Sequence, residues 1–381
     1  MNNLDKETAD FIAKNNIFVE VGDPFQKYIL SSLPGIETFG KPDAVAKVKK
    51  IKGKNSLMFK NELVYEAKYT FDNIGRRNTT EVNFSGKDKV GIFFGDSMCF
   101  GEGLNDNETI PYYFEKSNID YRSINYGFMG HGPSHMLFTI NTSEFKKEFE
   151  NKKGKVFFIY RDDAVKISAG KVPWSKGHPK YKLIDDKLVF QGQYENYINN
   201  DIYLPSKYSK DDYKLTTEIF LEAKKTIKSI STNLELEVII LPLSFSNFYI
   251  YPLLSDKGIK VINLYHLDLE KLTNIKSRFL DGIHTKYSNE IIVKFLNEKY
   301  SKIHSHKEYS NLDELKERLT LESSLMPSML DFPIDDAGVI ISNMLKHYKG
   351  NEVIDYKELI TYLENLHKEK IKNISTNKVG S

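Results

Sequence analysis

The sequence predicts an α/β protein: a parallel sheet with helices on both faces, an N-terminal extension and a helical C-terminal region. Short apolar runs rich in β formers, of the kind found in strands covered on both faces, alternate with amphipathic stretches of helical period. Glycine-containing turns follow the ends of several of these runs. At 381 residues, 40% hydrophobic and 28% charged, the chain is long enough to bury such a core and has ordinary globular composition.

Residues 1–85 read as the extension. A helical stretch covers 6–14, residues 63–71 have strand composition, and Asp72-Asn73-Ile74-Gly75 is the closing turn. The main domain spans 86–304. Its first strand covers 90–94 and runs into Gly95-Asp96-Ser97, and Thr109-Ile110-Pro111 suits a helix start. A second strand covers 121–125, and Gly132-Pro133-Ser134 opens a helix reaching about residue 149. The third strand is 156–160. An insertion over 164–212 follows, too long for an ordinary connection, with a hairpin over 182–190 turning at Asp185-Asp186. Ile219, Ala223, Ile227 and Ile230 place an amphipathic helix over 216–231. Strands at 236–241 and 260–264 flank a helix at 244–254, and a last helix spans 286–300. Residues 305–381 read as all-helical, with Asp355 and Glu358 as a capping box and an apolar stripe through Tyr356, Leu359, Ile360, Leu363 and Leu366.

Composition removes several function classes. Lys+Arg is 54 against Asp+Glu 52, which gives no global field for nucleic acid or an anionic membrane. One cysteine, Cys99, excludes a disulfide framework and a cysteine-rich zinc module. Nothing suggests a metal site or a cofactor. No apolar run reaches the length of a membrane span. The polar N-terminus lacks the apolar stretch of a signal peptide, so the expected location is the cytoplasm, unless an export leader has been removed.

Three elements carry candidate chemistry. The first is Gly95-Asp96-Ser97-Met98-Cys99, where a serine just past a strand faces the sheet's carboxyl edge, the usual side of the crevice. A structural turn with Ser97 as a helix cap is the alternative. The second is Asn125-Tyr126-Gly127-Phe128-Met129-Gly130-His131, whose glycines let backbone N–H groups approach a ligand. A plain strand-to-helix turn is equally compatible. The third is Asp281-Gly282-Ile283-His284, a carboxylate and an imidazole on one loop, as a serine nucleophile requires. A surface turn with a capping aspartate is the alternative there.

In order after strands one, two and five, these elements together resemble the SGNH (GDSL-type) hydrolase family over roughly residues 65–300. Met98 stands where the name-giving leucine would be, and residues 69–77 resemble the strand and turn preceding the first block in bacterial members. The resemblance implies a flavodoxin-like three-layer α/β/α fold. It also implies Ser97 as nucleophile, His284 as base, Asp281 as its partner, and the Ser97 and Gly130 N–H groups as oxyanion donors. Asn125 belongs to the oxyanion and substrate-binding set, and Asp96 braces the nucleophile turn. The family's third block ends in Gly-x-Asn-Asp. Here Arg161 falls where its asparagine donor is expected. Its guanidinium either points into the crevice, the orientation expected, or folds onto Asp162 or Asp163.

The expected activity is a serine esterase or deacylase acting through an acyl-enzyme on an O-acylated glycan or small ester. Acyl transfer to a sugar hydroxyl uses the same triad. A degenerate glycan- or partner-binding module is the non-enzyme reading. The insertion, with Trp174 and His178, is expected to border the crevice, and the C-terminal helices offer a surface for a protein partner. His131 and His135 either line the crevice or lie on a helix surface. Cys99 is expected behind the turn.

Overall fold

The computed structural model describes residues 17–21, 43, 45–52, 63–79, 87–161, 163–172, 174–195, 209–241, 247–264 and 285–301, with a few isolated positions beyond 312. Three strands come first, β1 (Ile17–Val21), β2 (Val45–Lys52) and β3 (Leu63–Thr70), in an antiparallel sheet of that order. The main sheet comprises β4 (Lys89–Gly95), β5 (Tyr121–Asn125), β6 (Lys153–Tyr160), β9 (Leu234–Ile240) and β10 (Lys260–Asn263). Its order is β10-β9-β6-β4-β5, with every neighbouring pair parallel. Counted along the sheet's own strands this is 2-1-3-4-5, the flavodoxin-like order. Between β6 and β9 lies the hairpin of β7 (Pro179–Ile184) and β8 (Lys187–Gln193).

The apolar runs are strands because both faces are covered. Phe94, Phe158, Tyr160 and Ile240 pack on one face with α3 (Pro133–Ile140), α4 (Ser143–Phe149), α6 (Lys210–Ile230) and α7 (Asn247–Asp256). Phe93, Phe157, Ile159 and Ile239 pack on the other with α1 (Ser97–Phe100), α2 (Ile110–Ser117) and α8 (Lys286–Ser301). Strict alternation of side chains along a strand turns one continuous apolar run into two cores. The three-layer α/β/α fold read from the sequence is the fold of the chain.

Several boundaries differ from the sequence reading. The helix expected from 132 to 149 is two helices. The Thr142 hydroxyl accepts from the Phe145 N–H at 3.3 Å, capping α4 and breaking the run after α3. The helix expected at 216–231 starts at Lys210, where Ser209 caps Asp212 at 3.2 Å. The insertion opens with a further helix, α5 (Asp163–Ser168), buried along most of its length. The hairpin turns at Asp185-Asp186, both at positive φ (50° and 58°), as a tight two-residue turn requires. It packs on α3 through Phe138 and Phe190, whose rings lie 5.7 Å apart. The helical stretch at 6–14 and the apolar stripe of the C-terminal region lie outside the described residues. Among the described residues no helix is long and apolar enough to cross a membrane.

Candidate active site

Strand β4 delivers the first block to the carboxyl edge of the sheet. Gly95 has φ +152°, and a Cβ there would lie 2.8 Å from both Cys99 Cβ and the Ile159 carbonyl, so this sharp exit admits only glycine. The helix cap is Asp96 rather than Ser97: its Oδ1 accepts from the Met98 N–H at 2.9 Å. Ser97 is therefore the first helical residue, and it stays partly exposed between buried Asp96 and Met98. Its carbonyl accepts from the Gly101 and Glu102 N–H groups at 2.9 Å each, closing α1 after one turn.

The nucleophile turn is held from three sides. From β5, Asn125 is buried and its amide is spent on the turn: Nδ2 donates to the Cys99 carbonyl at 3.1 Å, and Oδ1 accepts from the Gly127 N–H at 2.9 Å. A Cβ on Gly127 would lie 2.6 Å from Cys99 Sγ, so the second block packs directly on the first. The Phe128 N–H also donates to the Gly95 carbonyl at 3.1 Å. Cys99 is buried, and burial pushes its thiol well up, which removes it as a nucleophile.

The second side comes from the segment after β3. Arg77 forms an isolated antiparallel bridge with Asn125 at the sheet edge, and its side chain is fully buried. Nη1 donates to the Phe100 and Gly101 carbonyls at 2.7 and 2.5 Å, Nη2 donates to the Leu104 carbonyl, and Nε donates to Asp106 Oδ1 at 3.1 Å. The guanidinium lies over the rings of Tyr69 and Phe100, at 4.2 and 4.7 Å. Carbonyls past the end of a helix lack intrahelical partners, and a planar fork of donors satisfies several at once. The neighbouring Arg76 ties the same segment to α4: Nε donates to Asp72 at 2.7 Å and Nη1 to Glu148 at 2.8 Å. The Tyr69 hydroxyl accepts from the Gly103 N–H at 2.8 Å, and burial pushes that phenol up to about 12.

The third side is Arg161, at the end of β6. Its Nη2 donates to Asp163 Oδ2 at 2.8 Å, and its Nε lies 3.5 Å from Asp96 Oδ2. The guanidinium thus takes Asp163, the folded-back alternative and not the orientation expected, and it also neutralises the aspartate that caps the nucleophile helix. Burial pushes the Asp96 carboxyl above the usual carboxylate range, and Arg161 opposes that shift.

Gly130, at φ +77°, closes the second block beside the insertion: a Cβ there would meet Trp174 Cδ1 at 3.0 Å. His131 and His135 are buried rather than on a helix surface, their rings stacked at 4.1 Å. Asp281 and His284 lie outside the described residues. Helix α8, which starts two residues after His284, is fastened beside the first block: Asn289 Nδ2 donates to the Glu108 carbonyl at 3.0 Å, and Lys286 pairs with Glu108 at 3.4 Å.

Arg77 is the residue the sequence reading passed over. Its signal was there: the chain has only six arginines, and two stand side by side after Gly75, just ahead of the first block.

No family model matches the sequence, and no curated protein matches it. Solved structures do. The chain is similar in structure to lipolytic proteins of the G-D-S-L family. One, from Veillonella parvula, is 14% identical over 56% of this chain and 100% of its own, with a TM-score of 0.35. An acetyl xylan esterase from Butyrivibrio proteoclasticus is 13% identical over 62% of this chain and 69% of its own, TM-score 0.35. A family two carbohydrate esterase from Clostridium thermocellum, in complex with cellohexaose, is 8% identical over 57% of this chain and 65% of its own, TM-score 0.37.

Proposed function

We propose that the chain is a serine esterase of the SGNH type, a deacylase for an O-acylated glycan or small ester. The observation that carries the reading is Ser97: a partly exposed serine on a tightly pinned turn at the carboxyl end of β4, beside the reversal of strand order where α/β sheets bind ligands. A nucleophile needs such fixed placement, because small displacements of a reacting group cost large factors in rate.

In this reading Ser97 Oγ attacks the ester carbonyl while His284 takes its proton, and Asp281 holds the imidazole in the productive tautomer. The oxyanion is held by the Ser97 and Gly130 N–H groups. His284 then returns the proton to the leaving alcohol, and water hydrolyses the acyl-Ser97 ester by the same route in reverse. Asn125, Arg77 and Asp96 act on the turn and not on the substrate. The fastening of α8 to Glu108 supports the assignment, since the Asp281–His284 segment immediately precedes that helix in the sequence. The test is hydrolysis of p-nitrophenyl esters of graded chain length. Ser97→Ala and His284→Ala each abolish it, Asp281→Asn leaves a residue, and unchanged turnover in Ser97→Ala removes the reading.

A second reading, binding without turnover, is favoured by Arg161. The family's third donor is an asparagine, and here the side chain at that position is engaged with Asp163 and Asp96. An oxyanion hole short of one donor loses ~10²–10³ in rate. Arg161→Asn raising kcat supports a weakened centre, whereas Arg161→Asn lowering it supports Arg161 as part of a working one.

A further inference from the structure

The insertion clamps the Gly130 loop at two glycines. A Cβ on Gly130 would meet the Trp174 ring at 3.0 Å, and one on Gly132 would meet Ile167 Cγ2 at 2.5 Å. Three imidazoles close the same seam. His131 belongs to the loop, His135 to the first turn of α3 and His178 to the insertion. The His131 and His135 rings stack at 4.1 Å and 12°, and His178 meets His135 edge to face at 4.4 Å. His135 thus touches one ring from its own loop and one from the insertion.

Hydrogen bonding fixes the charge state in which this contact exists. His135 Nδ1 accepts from the Gly132 N–H at 3.1 Å, and the Gly132 carbonyl accepts from the His135 N–H at 3.0 Å, a reciprocal cap on α3. Only a bare ring nitrogen accepts, so the single ring proton sits on Nε2. A second proton would go to Nδ1. It would set donor against donor and break the cap two residues from Gly130. It would also charge a ring that is 2% exposed, stacked on another imidazole, at the positive end of a helix.

No carboxylate offsets that charge among the described residues. The neighbouring elements carry Asp163 and Lys166 on α5, Lys171 paired with Asp212 of α6 at 2.6 Å, and Lys180 and Tyr181 on β7. None of them acts on either ring. Burial holds His135 well below its ordinary range, and the imidazoles of His131 and His178 push it the same way. Burial alone holds His178 at about 4. Both rings are therefore uncharged near neutrality and take up protons as pH falls from the ordinary 6.5 towards 4.

We propose that His135 and His178 are positioning residues that clasp the Gly130 loop to the insertion only while uncharged, so that acid parts Trp174 from Gly130. The clasp stands on this geometry; its effect on turnover rests on the esterase reading, in which Gly130 supplies an oxyanion donor.

Trp174 is the only tryptophan in the chain, so its emission reports the contact with Gly130. The full chain carrying His284→Ala, which removes the base of the esterase reading, is titrated between about pH 7 and about pH 4.5. A reversible change in emission is expected while the far-ultraviolet circular dichroism is still native. Adding His135→Gln should abolish it, because the amide oxygen still accepts from the Gly132 N–H and does not titrate. Adding His178→Gln should move it to lower pH. Emission that changes only together with the circular dichroism, or the same transition after His135→Gln, overturns the clasp. If His135→Gln does not fold, an unchanged transition after His178→Gln overturns it. With the triad intact, kcat/KM for p-nitrophenyl acetate should fall on the acid side of that transition more steeply than the tenfold per pH unit of a single base, and His135→Gln should restore the single-base slope. Equal slopes overturn the link to Gly130. If wild type cleaves no ester and the emission transition is still lost in His135→Gln, the clasp stands and the esterase reading falls.

Discussion

Replacing Arg77 by alanine tests whether the nucleophile turn is held from outside its own block. The side chain is fully buried and donates to three backbone carbonyls and to Asp106. Truncation leaves Phe100, Gly101 and Leu104 with unpaired carbonyl oxygens. Each stranded acceptor costs ~1–3 kcal/mol, and water entering the vacated space recovers part of that. The pair with Asp106 is partly exposed and adds under ~1 kcal/mol. The expected loss is therefore ~3–5 kcal/mol, the range for breaking a buried charged contact on one side. Against a total of ~5–15 kcal/mol this is a large share. Arg77→Lys keeps the charge but offers no planar fork, so it should lose ~2 kcal/mol and fall between wild type and alanine. Urea unfolding followed by far-ultraviolet circular dichroism gives the order directly. An alanine variant within ~1 kcal/mol of wild type would show that Arg77 does not hold the turn, because three stranded buried carbonyls cannot be that cheap.

Two further outcomes follow from the same geometry. Gly127→Ala puts a Cβ 2.6 Å from Cys99 Sγ and 2.7 Å from the Phe100 backbone nitrogen, so it should destabilise by ~1–3 kcal/mol or more and slow labelling of Ser97; a neutral effect in a thermal melt would contradict that packing. Burial holds His178 at about 4 against an ordinary 6.5, so the unfolded chain takes up this proton first and stability is lost as pH falls from 6.5 towards 4. The full gap is worth at most ~3 kcal/mol, and His178→Gln should narrow the difference in unfolding free energy between pH 7 and pH 4.5 by ~2 kcal/mol; an unchanged difference would sink the assignment.

The parallel sheet was legible because its strands are covered on both faces: runs such as Val90 to Phe94 and Val156 to Tyr160 have no polar face to disguise them. The break between α3 and α4 was not, because Met136, Leu137, Ile140, Phe145 and Phe149 keep one apolar face across it and only the Thr142 cap marks the stop. Helix α5 was hidden by its six-residue length inside an insertion. At the site, the glycine-containing blocks marked the turns after β4 and β5, where Ser97 and Gly130 lie, since backbone turns write themselves into local sequence. Side-chain bracing did not. Arg77 reaches carbonyls 23 to 27 positions away, and the Asn125 amide reaches back 26 to Cys99, distances at which no local pattern reports a contact. The meeting of Trp174 with Gly130, across α3 and β6, is hidden for the same reason.

An activated Ser97 should react with a fluorophosphonate, which needs no knowledge of the substrate. The full chain is incubated with the reagent, its intact mass measured and the labelled peptide sequenced. One adduct per chain is expected, on Ser97, absent from Ser97→Ala and strongly slowed in His284→Ala. An unlabelled wild-type chain, or an adduct that persists in Ser97→Ala, would contradict it.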